Sequence, residues 1–555
     1  MTRTTGALLA AAALVAGAAL PSATPFARLS AETETAERFS GSRVRAHVEF
    51  LADDLLEGRE AGTRGYDLAA RYVTAELKAL GLEPAGDEGS YLQTIRFRRA
   101  ELVESQLLLR RSGQPDRALA VPDVALVSPS ARETHTEASG RLVFVGFGVT
   151  APDLRHDDYA GLDVRGRIAV MLHGGPPTFA SEQRAHFSSP HHKLRNAADH
   201  GAAGAVLILS PETLRSYSWS RVAENQKEGS LTWVGPDGEP RVIEPRLQAL
   251  ATINPDAAAM LFEGAPQPIG AVFALAASAS PSGFELPSSI SIRAVSRHAE
   301  ITSPNVLGRL RGAEPALADT SVVLTAHLDH AGIRHGASGD RIQNGAYDNA
   351  AGSAILLEVA RAFSAGPAPR RSVVFAFVTA EEKGLLGSDY LARHPPPPVG
   401  RIVANVNLDM PLLLTPTADV IAWGAENSTL EAAVKAAVAA ADLRLSPDPL
   451  PQENLFVRSD QYSFVRAGVP AVYLAPGFTA RDPGVNGAEL VGQFLRTHYH
   501  QPSDDLRLPM NLESAARFAR VNYLVARTVA DDPAPPAWKP GNFFGATFGQ
   551  AGTAP

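Results

Sequence analysis

From about residue 300 the chain alternates short apolar strands with helical segments, and three of the strands lead into titratable residues. Strands are expected at Ser321 to Ala326, Ser372 to Val378, Arg401 to Leu408, Asp419 to Trp423 and Ala471 to Leu474. Helical spacing of apolar residues occupies Ala350 to Phe363, Thr429 to Ala441 and Leu512 to Val529. Such alternation predicts an α/β fold, a mostly parallel sheet with helices on both faces. In open sheets of this kind ligands bind beyond the carboxyl ends of the strands.

Reading past those ends gives His327-Leu328-Asp329-His330, then Thr379-Ala380-Glu381-Glu382, then Asp409. The loop after the first strand carries Tyr347-Asp348-Asn349, and far downstream stands Tyr499-His500-Gln501. Imidazole nitrogens and carboxylate oxygens are the donors that zinc takes. Two ions a few ångströms apart share one carboxylate and need about two further ligands each. His327, Asp348, Glu382, Asp409 and His500 meet that count, with Asp348 as the bridge. Glu381 is left over as a general base toward the attacking water. Asp329, two residues past His327, is placed to accept the second imidazole N–H. Each piece has an ordinary structural alternative: Asp348-Asn349 as a helix cap, Glu381-Glu382 as an acidic helix start, Asp409 as a turn residue. Their joint position at strand ends favours the metal reading.

Ahead of this half, Val44 to Leu56 and Tyr66 to Leu80 show helical spacing around a glycine-rich loop, Glu57 to Gly65. Strand-like runs at Leu142 to Val149, Ile168 to His173 and Ala205 to Leu209 break the later rhythm and mark an insertion. The organisation expected is a signal peptide (1–30), an N-terminal part of the catalytic domain (36–130), a small β-rich insertion (131–285), the catalytic domain (286–532) and a Pro/Gly-rich extended tail (533–555). The insertion has apolar runs of its own and is expected to fold around its own core. Its four histidines, His186, His191, His192 and His200, are irregularly spaced near Pro190 and read as a solvated loop rather than a second metal site.

Arg3 followed by the apolar run Gly6 to Leu20 fits a secretory signal and is too short to span a bilayer comfortably. The expected location is periplasmic or extracellular, with no stable membrane anchor. The 555 residues contain no cysteine, which removes disulfide and thiol chemistry, and the net charge of −8 offers no field for nucleic acid. Neither a Gly-x-Ser-x-Gly elbow nor a His-Glu-x-x-His helix is present.

Five strings, Ala326 to His330, Asn344 to Gly352, Glu381 to Ser388, Asn407 to Met410 and Tyr499 to Asp505, together resemble the family of co-catalytic di-zinc aminopeptidases of the aminopeptidase Y, Streptomyces and Vibrio type. The segments Phe50 to Asp54, Glu57 to Arg59 and Gly62 to Gly65 extend the likeness toward the start. The resemblance implies the zinc aminopeptidase/phosphorylase-hydrolase-like fold and two zinc ions per chain. His327 and Asp409 would hold one ion and Glu382 and His500 the other, with Asp348 bridging and Glu381 as base. It implies peptide substrates with a free N-terminus. The insertion resembles a protease-associated domain through Phe144 to Val149 and Asp157 to Gly166. One departure is Gln461, where the family often has histidine. Tyr462 beside it either donates to the oxyanion of the tetrahedral intermediate or packs as an aromatic under the following helix. A carboxypeptidase of the same fold, with Arg458 and Arg466 as a carboxylate clamp, is the alternative; a non-catalytic peptide-binding relative ranks last.

Overall fold

The computed structural model describes residues 39–216, 218–227, 229–334 and 339–549. The expected signal segment therefore lies outside the described residues. In chain order the main elements are α1 (Gly41–Leu51), α2 (Arg64–Ala79), β1 (Leu92–Arg110), β2 (His135–Phe144), β3 (Ile168–Leu172), α3 (Ser181–Ser188), α4 (Pro190–Asp199), β4 (Gly204–Ile208), α5 (Trp219–Lys227), β5 (Ala249–Ile253) and β6 (Phe284–Leu310). There follow β7 (Thr320–His327), α6 (Ala351–Ser364), β8 (Ser372–Val378), α7 (Leu386–Arg393), β9 (Arg401–Leu408), β10 (Asp419–Trp423), α8 (Leu430–Ala440), α9 (Gln461–Arg466), β11 (Ala471–Pro476), α10 (Gly487–Thr497), α11 (Leu512–Asp531) and α12 (Phe543–Phe548).

The catalytic half is built on β10-β11-β9-β7-β8-β6, in that spatial order. β7 pairs parallel with β8 and β9, and β9 parallel with β11. All seven residues of β8 are buried, as expected for a parallel strand covered on both faces. Val323 of β7 packs with Leu391 of α7 and Phe464 of α9. Its neighbours Val322 and Leu324, also fully buried, point to the opposite face by strand alternation, and α6 and α11 pack on β7. The sheet is mixed: β6 runs antiparallel to β8, and β10 antiparallel to β11.

Apart from a short antiparallel pair, Thr150–Ala151 with His156–Asp157, the inserted strands join the catalytic sheet. β6 is 27 residues long and β1 is 19, and they pair with one another over most of their length. β6 also pairs with β2, which carries β3, β4 and β5 in parallel order beyond it. One sheet thus runs from the catalytic half into the inserted segment. The apolar core around Phe144, Val170, Val206 and Ile253 also draws in Leu107 and Leu109 of β1 and Ile290 and Ile292 of β6. Its boundaries therefore extend past 131–285, because strand pairing rather than composition defines them.

The tail differs from the extended arm expected. After Asp531 the chain turns back, and α12 inserts Phe544, 1% exposed, against Phe456. Three phenylalanines within six residues outweigh the loop-forming Pro and Gly around them. Among the described residues no helix is long and apolar enough to cross a membrane.

Candidate metal centre

The loop between β7 and α6 is shaped by close backbone approaches. Gly345 has φ +56°, and a Cβ there would meet the Asp348 carbonyl at 2.0 Å and the His330 ring at 2.6 Å, so a side chain is excluded. The Tyr347 and Asp348 N–H groups donate to the Asp504 carboxylate at 3.0 and 3.1 Å. Asn349 accepts from Gly352 N and Met410 N and donates to Leu408 O. Asn349 thus caps the helix start and ties the loop to the end of β9, which frees the Asp348 carboxylate for another role.

That carboxylate faces two ways. Its Oδ1 lies 3.3 Å from His327 Nε2, which is itself 3.1 Å from Asp409 Oδ1. Its Oδ2 lies 3.1 Å from His500 Nε2, which is 3.2 Å from Glu382 Oε2. Zinc bonds of 2.0–2.1 Å in tetrahedral geometry place neighbouring ligand atoms about 3.3 Å apart. These donor spacings match that value, so the residues present around Asp348 fit zinc. His330 completes a further donor group with Asp348 and Glu382. Its Nδ1 is 2.6 Å from Glu382 Oε1, a hydrogen-bond distance on the oxygen turned away from His500, so it orients Glu382.

Charge is concentrated here. Burial disfavours charge on His327, but Glu381 and Asp409 outweigh it and hold its pKa well above the ordinary imidazole value. Burial likewise opposes ionisation of Asp348, but His327, His330 and His500 hold it well below the carboxylate range. Glu381 shifts the other way: burial first, then the charges of Asp409, Asp460 and Glu382, push it well up. Behind these groups lies Arg59, 1% exposed, donating to the carbonyls of Leu328, Asn344 and Gly345 at 3.0, 2.6 and 3.1 Å and also to Leu51. Burial pulls its pKa to about 10. Arg59 supplies a fixed positive charge beneath the acidic groups.

Asp329 lies beside His327 and meets it through the main chain rather than the side chain. His327 Nδ1 meets the Asp329 main-chain carbonyl at 3.1 Å. The Asp329 carboxylate instead accepts from the N–H groups of Glu381 and Glu382 at 3.1 and 3.3 Å. Two backbone donors claim it first, and the result is a brace for the glutamate pair. Tyr462 follows the packing alternative. It is 3% exposed, its hydroxyl lies 2.7 Å from His186 Nδ1, and its ring packs on Phe456. With its hydroxyl bonded to His186, it is not aimed at an oxyanion.

The inserted histidines are not a solvated loop either. They lie on α3 and at the start and end of α4; His186 is 5% exposed and His200 stacks on Tyr159 at 4.0 Å. Burial lowers His186 to about 3, so it is neutral.

Further contributors had no role assigned from the sequence. Tyr473, on β11, donates its hydroxyl to the Asp409 carbonyl at 3.1 Å and stacks on Trp423. Gln461 accepts from Asn407 at 3.0 Å and donates to Phe456 O at 2.8 Å, bracing the strand before Asp409. Asp504 and Arg59 stood inside the recognised strings without a role.

Residues 305–526 match the model of Peptidase family M28. Among curated proteins, the chain is 26% identical over 320 residues to Aminopeptidase NAALADL1 of Mus musculus, a stretch covering 49% of this chain and 38% of the mouse protein. The match thus spans little more than a third of that relative's length. Among solved structures it is similar to an aminopeptidase from Aneurinibacillus sp. strain AM-1, at TM-score 0.52 and 19% identity, covering 92% of this chain and 98% of that one. It also aligns with BSAP, a zinc aminopeptidase from Bacillus subtilis, at TM-score 0.44 and 18% identity, over 89% of this chain and 97% of that one. The Aneurinibacillus likeness extends through the inserted segment as well as the catalytic half, and establishes the fold. Residues 305–526 thus resemble a domain of Peptidase family M28.

Proposed function

We propose that the chain is a secreted aminopeptidase that uses two zinc ions to remove single residues from peptides with a free N-terminus. The observation that carries this reading is the split carboxylate of Asp348, with one oxygen on the His327–Asp409 pair and the other on the His500–Glu382 pair. Zinc bound by such donors lowers the pKa of a coordinated water to about 7. Glu381, held by Asp329 through its backbone, takes a proton from the attacking water and passes it to the leaving amine nitrogen. Unlike Glu382 it has no histidine at hydrogen-bond distance among the described residues, so its carboxylate is left for proton transfer. The curated relative and the Aneurinibacillus structure are both called aminopeptidases, which supports the N-terminal preference. Arg466, one half of a clamp for a terminal carboxylate, is ion-paired to Asp389 at 2.8 Å, which disfavours the carboxypeptidase alternative. The apolar run Gly6 to Leu20 supports export.

The test uses matched dipeptides and tripeptides with free, N-acetylated or C-amidated ends, together with zinc analysis of the purified protein. Cleavage of free and C-amidated peptides, no cleavage of acetylated ones, and zinc approaching two per chain are expected. Acetylated peptides cut as fast as free ones would remove the aminopeptidase assignment.

A further inference from the structure

His500 occupies an uncomfortable position. Its φ is +52°, a left-handed conformation that non-glycine residues adopt only where surrounding contacts enforce it. The contacts are on the page. Tyr499, the residue before it, has its carbonyl bound by Arg221 Nη2 at 2.8 Å, and the same guanidinium lies 5.6 Å from the Tyr499 ring. Gln501, the residue after it, has its amide oxygen bound by Arg334 Nη1 at 3.0 Å. Arg334 in turn donates through Nη2 to Glu224 Oε2 at 2.7 Å. Arg221 and Glu224 are three residues apart on α5, hence on one face of one helical turn. That helix belongs to the inserted segment, more than 270 residues upstream of His500.

We propose that α5 is a clasp on the metal centre, and that Arg221 and Glu224 are positioning residues which fix His500 by gripping the chain on both sides of it. The inserted segment thereby completes the second metal site without contributing a ligand. This rests on His500 being a ligand, as proposed above. Arg221 acts directly on the main chain, and Glu224 acts through Arg334. Arg221 holds a carbonyl with a charge-assisted bond and an aromatic contact, whereas Glu224 is a half-exposed ion-pair partner and of smaller effect. A further tie, Arg458 Nη2 to Tyr499 Oη at 3.3 Å, restrains the ring but not the backbone.

The experiment measures zinc release from the full-length protein. Wild type, Arg221→Ala, Arg221→Lys and Glu224→Gln are loaded with zinc, and release to a chromogenic chelator is followed in time. Wild type is expected to release two ions per chain. In Arg221→Ala one of the two should leave at least ten-fold faster while the other, on His327 and Asp409, keeps its wild-type rate. Arg221→Lys retains a cationic donor for the Tyr499 carbonyl and should recover most of the retention. Glu224→Gln should accelerate the same ion two- to three-fold, and supplies the answer on its own if Arg221→Ala does not fold. An equal acceleration of both ions would indicate general loosening and overturn the clasp, as would wild-type release from both Arg221→Ala and Glu224→Gln. A wild-type chain that takes up no zinc overturns the metal reading itself, a result separate from every variant.

Discussion

Two adjacent glutamates at the centre of this site have different surroundings, and the roles proposed for them differ accordingly. Glu382 has His330 on one oxygen at 2.6 Å and His500 on the other at 3.2 Å. Its pKa is held below the usual range: burial works against ionisation, but the charges of His500 and His330 outweigh it. Glu381 stands on the same backbone brace from Asp329 with carboxylates as its nearest charges apart from His327. Replacing Glu381 by Gln keeps shape and removes the proton acceptor. Turnover is expected to fall by about 10²–10⁴-fold with zinc content unchanged. Glu382→Gln should lose activity through lost zinc and recover part of it when zinc is added in excess. Parallel measurement of turnover and metal content separates the two, and wild-type turnover in Glu381→Gln would remove its role. Residue types at strand ends were legible from the chain alone, and that was enough to nominate both glutamates. They did not reveal which atom of Asp329 faces His327, because backbone donors compete for a carboxylate and their positions depend on the turn after β8. Nor did they mark Tyr473, whose link to Asp409 arises from the pairing of β9 with β11.

At the scale of elements, periodicity located β8, β9 and β10 to the residue, because a strand buried on both faces reads as a largely apolar run, broken in β9 by the buried Asn405 and Asn407. The same reasoning failed for α12, where composition pointed to a loop. Phe544 packs against Phe456 there, and Phe544→Ala should cost about 3 kcal/mol, read by denaturant unfolding with kcat/KM as a companion. A loss below about 0.5 kcal/mol would mean that α12 is a passive cover. The inserted segment has a different hold on the catalytic half. Glu182 of α3 accepts from Gly424 N at 2.7 Å and from the Asn427 side chain. Burial and the charge of Glu426 push its pKa up to about 8, whereas in the unfolded chain it titrates near 4.5. Between those values the folded state binds the extra proton, so stability falls as pH rises from about 5 to about 8. Glu182→Gln removes that proton uptake, and its stability curve should be flatter than wild type across this window. Identical slopes for the two proteins would show that Glu182 is not the titrating group. Because Glu182 is partly exposed, the difference is expected to be modest.

For the whole molecule, the donor groups constitute a standing cost until an ion neutralises them. Asp348, Glu382 and Asp409 converge with His327, His330 and His500, and those side chains come from the loop after β7, the turn after β8, the end of β9 and the segment after α10. No stretch of the unfolded chain presents this set, so metal binds the folded state in preference and stabilises it by mass action. At a free zinc concentration one hundred times the dissociation constant, one site contributes about 2.7 kcal/mol. Thermal unfolding should therefore shift upward by a few degrees on adding zinc to chelator-treated protein, and should keep rising with the logarithm of zinc concentration. The shift should grow as pH rises and shrink as pH falls, because protons compete with the metal for the same nitrogens and the surrounding carboxylates hold His327 and His500 above the ordinary imidazole value. Asp348→Ala removes the one carboxylate common to both donor pairs, and its unfolding temperature should hardly respond to zinc. His200→Ala serves as a control: it removes an imidazole stacked on Tyr159 in the inserted segment, and its zinc response should match wild type. If Asp348→Ala is stabilised by zinc as strongly as wild type, the ions are not held at the carboxylate on which the two halves of the site converge.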